Sequence, residues 1–318
     1  RMTATVTNAI STRMTPGDWA QLLLLSLIWG GSFFLTGIAV KGLPVLTLVA
    51  VRLAVAALVL WTVVLVRGTP VPRDPRLWGA FVIMGVLNNA LPFILIAWGQ
   101  RAIPSGLASI LNATTPLFTV LVGAVLLADE RATAQKFAGV LMGLAGVAVM
   151  MGLDTFAGTG HALLPQLAVL GAALSYAFAG VYGRRFGRMR MDPFLSAAGM
   201  VTGASLAIVP AALLHDGVPH GVGAPYLLAA IAIGVIGTGL AYVVYFSILA
   251  RAGATNISLV TFLVPMPVAP MVVWVMSVNG ILMHKVGVEE AAPTVLFAFT
   301  VIVPVAFTLP QPPVSGMV

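Results

Sequence analysis

The sequence predicts an all-α protein that crosses a membrane through ten transmembrane helices, arranged as two inverted five-helix repeats. Three observations carry that prediction. Hydrophobic types make up 60% of the 318 residues and charged types only 8%, with a mean hydropathy of +1.06. A soluble domain carries about 25% charged residues, so water could not wet such a surface. Ten apolar stretches, each near the ~20 residues that span the hydrocarbon once, follow one another with short, charge-bearing connections between them. The segments leading to Pro116 and Pro265 also resemble each other half a chain apart. A soluble enzyme, a secreted disulfide scaffold and a disordered chain are excluded on these grounds.

In order, the apolar stretches lie at residues 20–40, 45–66, 77–99, 106–127, 134–152, 163–183, 193–214, 225–249, 255–277 and 291–309. A polar tail, residues 1–18, lacks the apolar run of a cleaved signal peptide, so the first span is expected to act as an uncleaved membrane signal. Met14, just before Thr15-Pro16-Gly17-Asp18, is an expected alternative start. The repeats are expected at 19–153 and 163–309, with residues 310–318 as a second tail. Gly and Pro recur inside the stretches, as membrane helices tolerate.

Lys and Arg orient the chain. With the N-terminus inside, twelve of them fall in inner segments, among them Arg67, Arg73, Arg76, Arg184, Arg185, Arg188 and Arg190. Only Lys41, Arg101 and Lys285 fall in outer loops. This positive-inside bias places both termini in the cytoplasm of a multi-pass protein of the inner (plasma) membrane. The Arg184–Arg190 cluster sets topology and meets anionic lipid headgroups, and no nucleic-acid partner is expected.

Setting Pro116 on Pro265 aligns SGLASILNATTP (105–116) with ATNISLVTFLVP (254–265) and places Ser109 on Ser258. Five spans per half is an odd number, so the second half enters the membrane from the opposite side. That is an inverted repeat, the arrangement behind alternating access in many transporters.

These features resemble the drug/metabolite transporter superfamily in its ten-span EamA-type branch. The residues that carry the resemblance are Leu27-Ile28-Trp29-Gly30-Gly31-Ser32-Phe33, the embedded arginine in Val51-Arg52-Leu53-Ala54, and Thr114-Thr115-Pro116-Leu117-Phe118 with its acidic turn Asp129-Glu130-Arg131. Gly139, Gly143 and Gly146 follow, then Gly237-Thr238-Gly239-Leu240-Ala241-Tyr242, Arg251-Ala252-Gly253-Ala254 and Phe262-Leu263-Val264-Pro265. The match ends there. A second acidic turn is due about 13 residues after Pro265, where Val278 and Asn279 stand, and Glu289-Glu290 come later. Pro265, Pro267, Pro270 and Pro304 crowd the last two spans, so this stretch is either strongly divergent or the product of a shifted reading frame. The resemblance implies a cavity enclosed by spans 1–4 and 6–9, with spans 5 and 10 peripheral.

All nine acids lie in the tail, in loops or at span edges. A proton-coupled exporter of cations needs a buried carboxylate, so the expected substrate is neutral, zwitterionic or anionic. Arg52 is the one charge clearly inside a span. It either marks a site, such as a seat for a substrate carboxylate, or snorkels to the outer headgroups or bonds carbonyls between helices. Asn88 and Asn89 lie mid-span beside Pro92. Each amide must find partners, by lining the cavity or by bonding across helices. Neighbours on an α-helix point about 100° apart, so the two are expected not to share one role. Trp29, Trp98, Tyr176, Tyr242 and Tyr245 are candidate cavity aromatics, against the alternative of the interfacial belt that accounts for Trp19, Trp61 and Trp78. Pro92, Pro116, Pro265, Gly237 and Gly239 are candidate helix breaks or gating positions.

Cysteine is absent, the four histidines fall in loops or at span edges, and neither a His-Glu-x-x-His run nor an intramembrane carboxylate pair occurs. No catalytic residue, metal or cofactor is expected, and a membrane-embedded enzyme is disfavoured. The sequence therefore reads as a secondary transporter, an exporter of a small metabolite such as an amino acid, with a channel-like or facilitated exchanger as the alternative. A coupling proton or counter-solute, and a monomeric or homodimeric state, are left open.

Overall fold

The computed structural model describes residues 14–127, 133–151 and 163–268. Helix α1 spans Pro16–Ala39, α2 Val45–Val66, α3 Pro75–Gly99, α4 Ser105–Leu126, α5 Ala134–Met151, α6 Leu163–Arg188, α7 Pro193–His215 and α8 Ala224–Gly253, and α9 begins with Val260–Leu263. Among the described residues there is no strand, and seven helices are long and apolar enough to cross a membrane; Lys136–Val149 within α5 is a shorter apolar helix. The tenth stretch, the acidic turns, residues 269–277 of the ninth stretch and the two tails apart from Met14–Asp18 fall outside the described residues.

Local chemistry starts these helices. Three of them open with a capping side chain followed by proline, whose missing N–H costs nothing in the first turn. Thr15 and Asp18 form a reciprocal capping box around Pro16. Asp74 accepts the backbone N–H of Arg76 at 2.9 Å, and Asp192 accepts those of Phe194 and Leu195 at 2.9 Å each.

Two of the long helices are wound irregularly. Val86–Ala90 in α3 and Ile233–Leu240 in α8 are π-helical. A π turn disturbs the regular backbone ladder and recurs at functional sites. In α3 the carbonyl of Leu87 accepts the Ser175 hydroxyl of α6 at 2.7 Å, so the irregular turn is supported from outside its own helix.

Proline and glycine sit at the other irregularities. Pro92 lies in the first turn after the α3 π segment, and Gly237 and Gly239 lie within the α8 one. In α4 the break falls at Ala113–Thr114, and Pro116 opens the second half. Gly253 ends α8 with φ +79°, a left-handed conformation that glycine adopts without steric cost. Pro265 follows the short α9 helix.

The most extensive packing joins α2 to α7, α3 to α6 and α7, α1 to α8, and α4 to α6, with α2 to α8 next. One apolar cluster gathers residues of α1, α4, α6 and α8, including Leu25, Leu111, Val169 and Ile248; a second gathers α2, α3 and α7 around Leu53, Ala90, Phe93 and Met200. Tyr176 packs against both. Leu23, Leu24, Leu58, Leu206 and Leu228 are exposed on the outer surface of the bundle. An apolar surface of this kind suits lipid and not water.

Polar ties join the helices near their ends. Arg251 at the end of α8 donates to Asp18 at 3.1 Å and to Gln21 at 2.5 Å, both on α1. Asp216, just past α7, accepts the backbone N–H and the hydroxyl of Thr47 on α2 at 2.9 and 2.8 Å. Burial pushes the Asp216 carboxyl up, but hydrogen bonds from His215 and from Thr47 outweigh it and hold the carboxyl below the ordinary aspartate value. Trp61 and Trp78 are not simple belt residues: they stack at 6.4 Å, and the Trp61 indole donates to Thr202 of α7 at 2.9 Å.

Candidate functional site

The polar side chains that the sequence places in mid-span converge between α2, α3, α6 and α8. Arg52 is the organising group. It lies about 10 Å along α2 from the end nearer Val45, too deep to be treated as interfacial. Its contacts are with side chains of two other helices. Its Nε donates to the hydroxyl of Thr238 on α8 at 2.9 Å, and its guanidinium carbon lies 3.4 Å from the centre of the Phe93 ring on α3. An arginine at span centre costs about 2.5–3.5 kcal/mol on insertion scales, and a desolvated cation–π contact offsets on the order of 2 kcal/mol of that.

The tyrosines sit beside it. Tyr176 of α6 and Tyr242 of α8 are close enough to the guanidinium to couple with it electrostatically. The Tyr242 hydroxyl donates to Asn89 Oδ1 at 2.6 Å and accepts from Asn88 Nδ2 at 3.1 Å. The two asparagines therefore share one partner, contrary to the expectation from regular helix geometry. Both lie in the π-helical turn, where α-helical angular spacing does not hold, and the hydroxyl reaches between their amides. Asn89 is fully buried, and its Nδ2 has no hydrogen-bond partner among the described residues.

Aromatic rings continue the cluster towards α1. Trp29 and Tyr245 lie 5.7 Å apart, and Tyr245 meets Phe246 edge-on at 5.2 Å. Arg52, Asn88, Tyr176, Tyr245 and Trp29 are half-buried. Trp98 is not part of the group: it is 43% exposed at the end of α3. Its position, one residue before the end of the helix, agrees with a belt residue and removes it from the site.

Sequence reasoning passed over Thr238, Phe93 and Ser175, which hold the cluster from three different helices. Thr238 has a weak signal, a hydroxyl set between Gly237 and Gly239; Phe93 and Ser175 have none. Gln100, near the end of α3, is buried and donates to the Phe33 carbonyl at 2.9 Å and to Ser105 at 2.8 Å. The four acids of the described residues, Asp18, Asp74, Asp192 and Asp216, are all engaged at helix ends, so no carboxylate stands in the cluster among them.

The family model of the EamA-like transporter family matches residues 19–152 and again 163–288. This chain belongs to that family. As a member of a transporter family it is a membrane protein and not an enzyme. Among EamA-like relatives, the chain is 28% identical over 204 residues to the uncharacterized inner membrane transporter YedA of Escherichia coli K12, covering 60% of this chain and 65% of that one. It therefore spans just under two thirds of YedA's length. It is 23% identical over 245 residues to the uncharacterized transporter YoaV of Bacillus subtilis, covering 77% and 83%. A protein of Escherichia coli K12 named a probable amino-acid metabolite efflux pump is 26% identical over 207 residues, covering 64% of this chain and 66% of that one. A solved crystal structure matches with a TM-score of 0.60 at 21% identity over 92% of this chain and 99% of that chain, a likeness of fold alone.

Proposed function

We propose that the protein is a secondary transporter that exports a small neutral, zwitterionic or anionic metabolite, such as an amino acid, across the inner membrane by alternating access. The observation that carries this is the mid-bundle cluster: Trp29, Arg52, Asn88 and Asn89 come from the first half of the chain, and Tyr176, Tyr242 and Tyr245 from the second. A polar and aromatic site between two halves, at mid-depth, is where carriers bind solute. The paired π segments in α3 and α8, the third helix of each half, support reading 19–153 and 163–309 as inverted repeats. Polar ties between halves near the two ends, α1 to α8 and α2 to α7, supply contacts that a rocking motion would break alternately. The printed names of the efflux pump and of YedA support the substrate class and the inner-membrane location.

Proteoliposomes loaded with amino acids and related metabolites test the reading. Saturable efflux, faster when the same solute is supplied outside, identifies a carrier. Flux that rises linearly with concentration identifies the channel-like alternative, and flux no greater than in empty vesicles overturns both. Efflux that stops when a pH gradient is collapsed assigns the proton as partner; insensitivity assigns exchange. The chain has no cysteine of its own, so Gly187→Cys and Gly217→Cys report topology directly. Labelling of the first from the cytoplasm only and of the second from outside only is expected with both termini inside.

A further inference from the structure

We propose that the free edge of the Arg52 guanidinium and the side-chain amide of Asn89 together seat a carboxylate of the transported solute. The protein would then carry amino acids or other small monocarboxylates and not the amines that correspond to them. This rests on the transporter reading above and narrows its substrate class.

The charge balance points to an anion. Among the described residues Arg52 is a cation deep in the bundle with no carboxylate beside it, because Asp18, Asp74, Asp192 and Asp216 are engaged at helix ends. Intramembrane charges are paired or functional. One cation balances one negative charge, which favours a monocarboxylate over a dicarboxylate or a phosphate ester.

Hydrogen-bond geometry points the same way. The Nε–Thr238 bond and the Phe93 ring fix the plane of the guanidinium, and its terminal nitrogens have no partner among the described residues. That edge is a planar pair of donors of the kind that takes a carboxylate side by side. Asn89 precedes Phe93 by four residues on α3, and its bond to Tyr242 ties it to the same two helices, α3 and α8, that hold the guanidinium. Its oxygen is committed to the Tyr242 hydroxyl, and that orients the amide so that the group left over is the Nδ2 donor. The uncommitted groups of Arg52 and Asn89 are thus all donors. They suit an anion and repel an ammonium. The Trp29–Tyr245 pair gives the remainder of the solute an apolar face.

The test uses the full chain in nanodiscs, with thermal unfolding read against two probes: a mixture of the L-amino acids and a mixture of the amines formed by decarboxylating them. The wild type is expected to gain a saturable rise in Tm with the first mixture and none with the second. Arg52→Gln should weaken the response to the acids by at least about tenfold, the loss that goes with a charge-assisted hydrogen bond. Arg52→Lys, which keeps the charge but not the fork, should weaken it less. Asn89→Asp replaces the unpartnered Nδ2 donor by a carboxylate oxygen and should abolish the response while a cooperative unfolding transition is retained. That variant carries the test if Arg52→Gln does not fold. Equal responses to acids and amines, no response to either, or wild-type affinity for acids in Arg52→Gln overturns the carboxylate seat. Arg52-dependent binding without flux in proteoliposomes keeps the seat and removes the transporter reading. Flux unchanged by Arg52→Gln keeps that reading and removes the seat.

Discussion

Two seams of the bundle are built on glycine and differ in what the glycines touch. Between α3 and α7 the contact is largely backbone on backbone: a Cβ at Gly203 would stand 2.6 Å from the Val82 Cα, and one at Gly85 would stand 2.6 Å from the Ala204 nitrogen. Where α8 meets α1 and α2, Gly237 faces the Ser32 side chain and Gly239 the Val59 side chain, with a backbone contact only at Gly234 against the Arg52 carbonyl. Small residues let helices approach closely in both places. The first seam cannot open or slide without moving two backbones together. The second can adjust by rotating side chains, and the polar cluster is built along it. Rigid support and adaptable site therefore use the same residue type, told apart only by the atom opposite.

The largest expected effect strikes the rigid seam. Gly203→Ala should lower stability by roughly 1–3 kcal/mol, the usual range for overpacking, read as a drop in Tm of the detergent-solubilised protein. Gly237→Ala should cost less, because the atoms it meets are side-chain atoms, chiefly the Ser32 hydroxyl, which can turn aside at the expense of its bond to the Ile28 carbonyl. Equal losses would erase the distinction between the seams.

Next comes the network on the adaptable side. Tyr242→Phe leaves the buried Asn89 oxygen without its 2.6 Å donor and should cost about 1–3 kcal/mol. Adding Asn89→Leu removes both partners and should recover part of that loss. Destabilisation that simply adds would mean that the pair is not coupled.

The tie between α1 and α8 is weaker. Asp18→Asn keeps an acceptor for the Thr15 N–H while removing the charge opposite Arg251, which is half-exposed, so the loss should be smaller than that of Tyr242→Phe and shrink in high salt. Asp216 gives the smallest signal. Its folded-state carboxyl is held below the ordinary value of about 3.9, so its contribution is complete above that pH and is lost as pH falls towards the lower folded value. The Tm gap between the wild type and Asp216→Asn should be flat above about pH 4 and close below it.

The helices were legible because their cause is local. The run lengths place α2 at 45–66, α3 at 77–99 and α7 at 193–214 from the chain alone, within two residues of the helices observed. Parts of the site were legible too, because an arginine or an asparagine pair in an apolar run is conspicuous wherever it lies. The π winding was not. It led to the expectation that Asn88 and Asn89 must part company, when one tyrosine hydroxyl serves both. Trp98 was misplaced because the composition of a span does not say which face turns inward.

Sequence by itself determined that the described chain is a set of lipid-length helices poor in charge, because every backbone polar group in hydrocarbon must be satisfied within its own helix. Its motifs also determined the family. The tertiary structure decided that Arg52 meets Thr238 and Phe93, and that Tyr242 meets the asparagines, across separations of up to 186 residues. Those meetings depend on how each helix is rotated and how closely its neighbour approaches. Both are set by which glycine faces which atom, and the order of residues along one strand of chain does not contain that.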